Sequence, residues 1–210
     1  MPAPTRSFTA RHVQLSRALL AAVAAVMITF SPDHSAAVGL AAFGGFAIVT
    51  ALIHILAAIL VFRSGQRWPS VMMGGFTVVF GMAASVPAWR SDILFFVLVI
   101  GWAALTGLVE LIAGLRNRGT EGARDQILIG AVGLLLAVLL LVVPVDLVQH
   151  YAVDDNPFTL TGIILGVGLF GGYAAIVAVF LGIAGLAPVA KQEIKTDAGD
   201  DRLADHGGIA

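Results

Sequence analysis

The sequence contains no cysteine and little charge, with only 12% Asp, Glu, Lys and Arg. Without thiols the chain cannot form disulfides, use thiol catalysis or build cysteine-ligated zinc or iron-sulfur sites. Soluble domains carry roughly 25% charged residues, so this composition excludes an ordinary water-soluble domain. The formal net charge of −1 leaves no basic surface, and we exclude nucleic acid as a partner.

Long apolar runs take the place of charge: 59% of the residues are hydrophobic, and the mean hydropathy is +0.95. A helix needs roughly 20 mostly apolar residues to cross a bilayer. Six segments meet or approach this length, and short polar connections separate them. The sequence predicts an all-α fold, a polytopic membrane bundle of six transmembrane helices at residues 13–30, 36–62, 68–87, 93–115, 126–145 and 160–186.

The six segments form one predicted transmembrane domain, residues 13–190, between two polar tails. Residues 1–12 are predicted as a cytoplasmic tail, and residues 191–210 as a disordered acidic cytoplasmic tail. Of the 12 Lys and Arg residues, all except Arg90 fall on the side of the two termini, which marks that side as cytoplasmic. The basic start followed by an apolar run also resembles a signal peptide. The run leads directly into a second hydrophobic segment, which favours a retained helix.

A repeat with a period near 56 residues aligns residues 50–59 with 106–115, and therefore the second helix with the fourth. Pro32, Pro87 and Pro144 fall at the outer ends of the first, third and fifth helices, where proline can end a helix. The sequence therefore predicts three helical hairpins that repeat in the same orientation.

Small residues recur every three or four positions on the even-numbered helices, a pattern typical of close helix packing in membranes. We assign to the packing faces Ala41, Gly44, Gly107, Gly114, Gly168, Gly171 and Gly182. On this assignment Gly162 and Gly166 point away from the packing face of the sixth helix. That second face suggests a homo-oligomer or a membrane-protein partner, in addition to the lipid bilayer.

Two ionisable residues lie well inside predicted spans, His54 and Glu110, which the repeat places at equivalent positions. A charge near the bilayer centre costs about 2.5 to 3.5 kcal/mol, so each residue requires a partner. Glu110 could pair with His54 or with Arg17, and the sequence does not choose between them. The functional hypothesis is a proton-responsive or proton-conducting site, because histidine titrates near neutral pH. The alternative is a structural polar contact.

Other motifs for chemistry are weak. Asp146, His150 and Asp154 would align on a helix and could then hold a divalent cation, but Asn156 and Pro157 argue against a continuous helix. We predict a solvated acidic loop and no metal site. No metalloprotease or serine-hydrolase motif occurs in the sequence. The chain is therefore expected to be non-enzymatic and to use no cofactor.

The repeat resembles that of the HdeD-like family of small bacterial membrane proteins. The resemblance is best over residues 102–118 (WAALTGLVELIAGLRNR), with glycines and prolines on either side, and covers roughly residues 15–187. The matching residues on either side are Gly75, Gly81 and Pro87 before this stretch, and Gly130, Ala137 and Pro144 after it. It implies six helices in the bacterial cytoplasmic (inner) membrane and a role in membrane integrity or in resistance to acid and other stress. A small proton-linked transporter or channel, or an accessory subunit of a larger membrane complex, are the alternatives.

Overall fold

The computed structural model describes residues 8–62, 67–120, 122–153 and 156–187. The predicted acidic tail, residues 191–210, lies outside them. The described residues form six α-helices: α1 (Ala10–Phe30), α2 (Ala36–Leu60), α3 (Trp68–Ala84), α4 (Asp92–Arg116), α5 (Ala123–Val142) and α6 (Gly162–Leu186). The predicted helical class is confirmed.

Five of the described helices, all except α3, are long and apolar enough to cross a membrane. This supports a multi-pass membrane protein. Helix α3 has 17 residues, and its last turn gives way to a short 3-10 helix at Pro87–Trp89. The predicted third segment continued to residue 87, so its end is corrected to Ala84. A sixth crossing stays a prediction.

Local chemistry explains where the helices begin and end. The Ser91 hydroxyl accepts a hydrogen bond from the Leu94 amide at 3.2 Å and caps α4. Gly122, with φ of +84°, makes the left-handed turn before α5. Helix α5 ends at Val142, two residues before Pro144, rather than at residue 145 as predicted. Helix α1 begins at Ala10, so the predicted tail 1–12 is shortened by three residues.

A β-hairpin, not predicted from the sequence, connects α5 with α6. Its strands β1 (Val148–Val153) and β2 (Asn156–Thr161) pair antiparallel. Tyr151 stacks on Phe158 across the strands at 5.2 Å between ring centroids, and His150 Nδ1 lies 3.0 Å from the Thr159 hydroxyl. His150 is therefore in a strand, not on a helix. Asp154 lies outside the described residues, and among these no group of three metal-ligating side chains occurs.

The helices form a closed ring in which each contacts its sequence neighbours and α6 returns to α1. The most extensive contacts are α4 with α5, α1 with α6, and α2 with α3. Helices α2, α4 and α6 also contact one another at the centre of the ring. The helix pairs α1–α2, α3–α4 and α5–α6 do touch, but none of them is among the most closely packed, and three repeated hairpins stay a prediction.

Glycine permits the closest helix contacts. A Cβ atom added at Gly107 would lie 2.9 Å from the Gly130 carbonyl oxygen, and one at Gly114 would lie 2.8 Å from the Ala123 carbonyl oxygen. Both glycines therefore allow α4 and α5 to approach through their backbones. A Cβ atom added at Gly44 would lie 3.0 Å from the Ser85 side-chain oxygen and 3.5 Å from the Ala84 side chain, at the end of α3.

Part of the predicted packing face is wrong. Ala41 and Gly168 are exposed, and Gly182 is only partly buried. A Cβ atom added at Gly168 or Gly182 would meet no atom within 4 Å. On α6 the face toward the bundle instead contains Gly162, Gly166, Phe170, Gly171 and Ala174. The assignment failed because α6 has small residues on both of its faces, so small-residue spacing alone could not distinguish inward from outward.

Candidate functional site: a polar cavity in the helix bundle

Three polar side chains from three helices lie at similar depth inside the bundle. Arg17 is seven residues from the start of α1, while His54 and Glu110 are each six residues from the ends of α2 and α4. At about 1.5 Å per residue, all three lie roughly 9 to 11 Å from the same end of the bundle. We call Arg17, His54 and Glu110 the polar cluster.

Arg17 and Glu110 form an ion pair. The Arg17 Nη2 atom donates a hydrogen bond to Glu110 Oε1 at 2.6 Å. The two side chains are 15% and 9% exposed, so little water competes with the contact. Of the two partners that the sequence left open for Glu110, the structure brings Arg17 into contact. The ion pair links α1 to α4, two helices that the repeat does not relate.

His54 occupies a different position in the cluster. It is 4% exposed, and within the described part of the chain neither ring nitrogen has a hydrogen-bond partner. Most buried polar groups in proteins are hydrogen-bonded, so an imidazole in this state is exceptional. The structure therefore places His54 beside the ion pair without joining it to Glu110.

The polar cluster lines a cavity of about 580 Å³. We call it the main cavity. It extends from residues at the helix ends, including Thr9, Phe62 and Gly122, inward to the polar cluster. All six helices contribute to its wall, and the remaining lining residues are Ala10, Arg11, Val13, Gln14, Pro69, Ser70, Met73, Ala113, Asp125, Gln126, Ile129, Leu181, Ala184 and Ala187. The main cavity thus has polar residues at its deep end and at its rim, with apolar side chains between them.

A second, much smaller space of about 10 Å³ borders Arg17 on its other side. Thr50, Thr77 and Thr106 line it, and such a volume is near the minimum for one water molecule. The Trp102 indole N–H donates to the Thr77 hydroxyl at 3.2 Å, and the Thr106 hydroxyl donates to the Trp102 carbonyl at 2.6 Å. Polar groups therefore continue past Arg17 toward the middle of the bundle.

Aromatic rings lie beyond the polar groups that continue past Arg17. The Phe46, Trp102 and Phe170 rings, one from each central helix, approach one another edge to face with centroids 5.7 to 6.4 Å apart. Such geometry is favourable for aromatic pairs. Together with Phe43 and Tyr173 they form what we call the aromatic cluster. The polar groups that extend from the main cavity past Arg17 are therefore closed off by close-packed rings toward the middle of the bundle.

Sequence reasoning named the charged residues but missed the cavity and the threonines. One signal was available, because Thr50 and Thr106 are related by the same 56-residue repeat as His54 and Glu110. Both threonines are buried, and the Thr50 hydroxyl has no hydrogen-bond partner among the described residues. No comparable pattern in the sequence indicates Ser70, Gln14 or Gln126, because these residues line the main cavity only through the arrangement of the helix ends.

No protein-family model, curated protein or solved structure matches the chain. The functional argument therefore starts from the chemistry of the polar cluster and the main cavity.

Proposed function

We propose that the chain is a non-enzymatic, multi-pass membrane protein of the HdeD-like type that serves membrane integrity or resistance to acid stress, with the polar cluster as its acid-responsive element. The bacterial cytoplasmic membrane, with both termini in the cytoplasm, is the location that goes with this proposal. The observation that carries it is the Arg17–Glu110 ion pair at 2.6 Å on the wall of the main cavity. Packing alone could be achieved with apolar residues, and ionisable groups inside a membrane domain are costly to retain.

The proposed response to acid follows from the charges that face the cluster. At neutral pH the Arg17 and Glu110 charges cancel, and a neutral His54 adds none. Protonation of Glu110 would leave the Arg17 charge uncompensated inside the bundle. Arg11 of α1 and Asp125 of α5 are the other charged groups on the cavity wall, where the described residues of α3 and α6 are uncharged. Acid would therefore loosen the contact between α1 and α4.

The test is thermal unfolding of wild type and Glu110→Gln in detergent at pH 7 and pH 3. At pH 7 the variant should lose about 1.5 to 3 kcal/mol, the range for a hydrogen bond to a charged group. At pH 3, below the ordinary titration range of carboxyl groups, the difference should shrink, because a protonated carboxyl group resembles the glutamine amide. Glu110→Asp serves as the control that keeps the charge. A difference that does not change with pH would contradict the proposal.

A small proton-linked transporter or channel is the second candidate, and the main cavity favours it. The cavity enters the bundle from one end and ends at the polar cluster, and the aromatic cluster closes the small space beyond Arg17, as one closed state of a transport pathway would. An accessory-subunit role needs an outward small-residue face, and α6 presents one at Gly168, Gly172 and Gly182, where an added Cβ atom would meet no atom within 4 Å. Proton flux in proteoliposomes separates the first two proposals, because an acid-responsive structural protein gives none at pH 5 or pH 7.

A further inference from the structure

The main cavity has the size and composition of a small-molecule site. Ligand pockets measure roughly 300 to 1,000 Å³, with mostly apolar walls and a few convergent polar groups. The main cavity measures about 580 Å³, and Val13, Met73 and Leu181 provide apolar wall between its rim and the polar cluster. A ligand that fits this wall has an apolar body and a polar end.

His54 provides independent evidence for a ligand at the deep end. Its side chain is buried and lines the cavity, and neither ring nitrogen bonds to a described residue. A neutral imidazole offers one N–H donor and one acceptor nitrogen. Burying these groups without partners costs free energy. The imidazole is therefore arranged to exchange hydrogen bonds with a molecule in the cavity.

The charges on the wall define the polar end of that molecule. Arg11 and Arg17 balance Glu110 and Asp125, so the lining is neutral overall. Arg11 donates to the Gly185 and Leu186 carbonyls at the end of α6, which occupies its guanidinium. Arg17 engages Glu110 through one nitrogen and one oxygen, and a guanidinium carries five N–H donors while a carboxylate has two oxygens. Donors for an anion and an acceptor for a cation therefore remain side by side.

A ligand with a single charge would be attracted by one member of the Arg17–Glu110 pair and repelled by the other. A molecule with an adjacent ammonium and anionic group can satisfy both without breaking the ion pair. We propose that the main cavity binds a zwitterion with an apolar body, whose anionic group contacts Arg17 and whose ammonium contacts Glu110 and His54. This chemistry occurs in apolar amino acids and in zwitterionic lipid headgroups. The inference goes beyond the acid response, because it requires no change of protonation.

The test uses purified full-length protein in a nonionic detergent and isothermal titration calorimetry. The first set of probes is phenylalanine, 2-phenylethylamine, which lacks the carboxylate, and 3-phenylpropionate, which lacks the amine. The second set is dihexanoyl phosphatidylethanolamine and dihexanoyl phosphatidylglycerol. In at least one set the zwitterion should bind about tenfold or more tightly than its singly charged counterparts, since it keeps both charged contacts. The set that discriminates identifies a free solute or a lipid as the source.

Glu110→Gln gives a readout that a merely structural carboxylate would not change. It removes the partner of the ammonium and leaves Arg17 unneutralised, so the preference should reverse, with the anionic probe binding more tightly than the zwitterion. Leu108→Ala, at an exposed position of the same helix, should keep the wild-type order. If no zwitterion binds better than its counterparts to wild type, the proposal is overturned, and this result needs no variant to fold. Loss of pH dependence in the unfolding experiment would leave this proposal intact.

Discussion

The interior of the bundle consists of two unlike regions that meet at Arg17. On one side, the aromatic cluster and the fully buried Leu40, Phe95 and Val99 pack closely around the three central helices. On the other side, the same central helices, together with α1, α3 and α5, surround a cavity of about 580 Å³. It contains an ion pair and a histidine that has no hydrogen-bond partner among the described residues. The close-packed region has the properties of a structural core, whereas the cavity region does not.

The difference shows that one repeated helix pattern supports two roles, close packing and polar chemistry. Phe46 and Trp102 occupy equivalent positions of the 56-residue repeat, and both belong to the aromatic cluster. His54 and Glu110, two turns further along the same helices, are also equivalent, yet one lacks a described partner and the other is paired with Arg17. Close packing is therefore shared between the repeats, while polar chemistry differs from one repeat to the next.

The substitution with the largest expected effect disrupts the close-packed region. Gly107→Leu should destabilise the fold by about 3 kcal/mol, because its Cβ would lie 2.9 Å from the Gly130 carbonyl oxygen and 3.0 Å from the Leu134 amide nitrogen. Backbone atoms cannot move aside as a side chain can. The measurement is thermal unfolding in detergent, followed by the helical circular dichroism signal.

Gly168→Leu is the matched control for this substitution. It places the same side chain on an exposed helical glycine with open space around it, so its effect should stay within about 0.5 kcal/mol. Equal losses in the two variants would show that α4 and α5 do not approach through Gly107. A large loss at Gly168 alone would instead reveal a contact with a second protein or a second copy of the chain.

The next largest effect is expected in the cavity region, where two double-mutant cycles measure it. Arg17→Leu and Glu110→Leu should each destabilise the protein by about 1.5 to 3 kcal/mol, and the double variant should lose less than their sum. His54→Leu combined with Glu110→Leu should be nearly additive, because no hydrogen bond joins those residues. Thermal unfolding of the six proteins at pH 7 measures both cycles. Strong coupling in the histidine cycle would mean that His54, rather than Arg17, is the partner of Glu110.

The sequence predicted the helices well because each required property is local. Apolar length, the serine cap at Ser91 and the proline at Pro144 act within a few residues, and helix ends agree with the prediction to within three residues. The β-hairpin was missed because the alternating pattern in residues 148–153 is short and includes polar side chains. Which helices pack most closely was also not predicted, since the pairing of α1 with α6 depends on ring closure between residues far apart in the chain.

For the site, residue identity was predictable and geometry was not. Burial cost alone singles out His54 and Glu110, because few ionisable residues fall inside apolar segments. Choosing Arg17 as the partner of Glu110 requires the rotation of α1, which its sequence does not specify. The same holds for α6, where Gly168 and Gly171 differ only in which side faces the bundle. A cavity is still harder to predict, because it depends on what six helix ends leave unfilled.

The smallest expected effect concerns the β-hairpin, which tests whether stability resides in the bundle. Tyr151 and Phe158 are exposed, and their stacking is a cross-strand contact worth roughly 0.2 to 1 kcal/mol. The base of the hairpin is held separately, since the Gly162 amide donates to the Leu147 carbonyl at 3.0 Å. Tyr151→Ala should therefore leave thermal unfolding of the bundle nearly unchanged while thermolysin cleaves the hairpin faster. If this substitution lowers bundle stability as much as Glu110→Gln does, the hairpin is part of the cooperative core, and the division into a close-packed region and a cavity region must be extended to it.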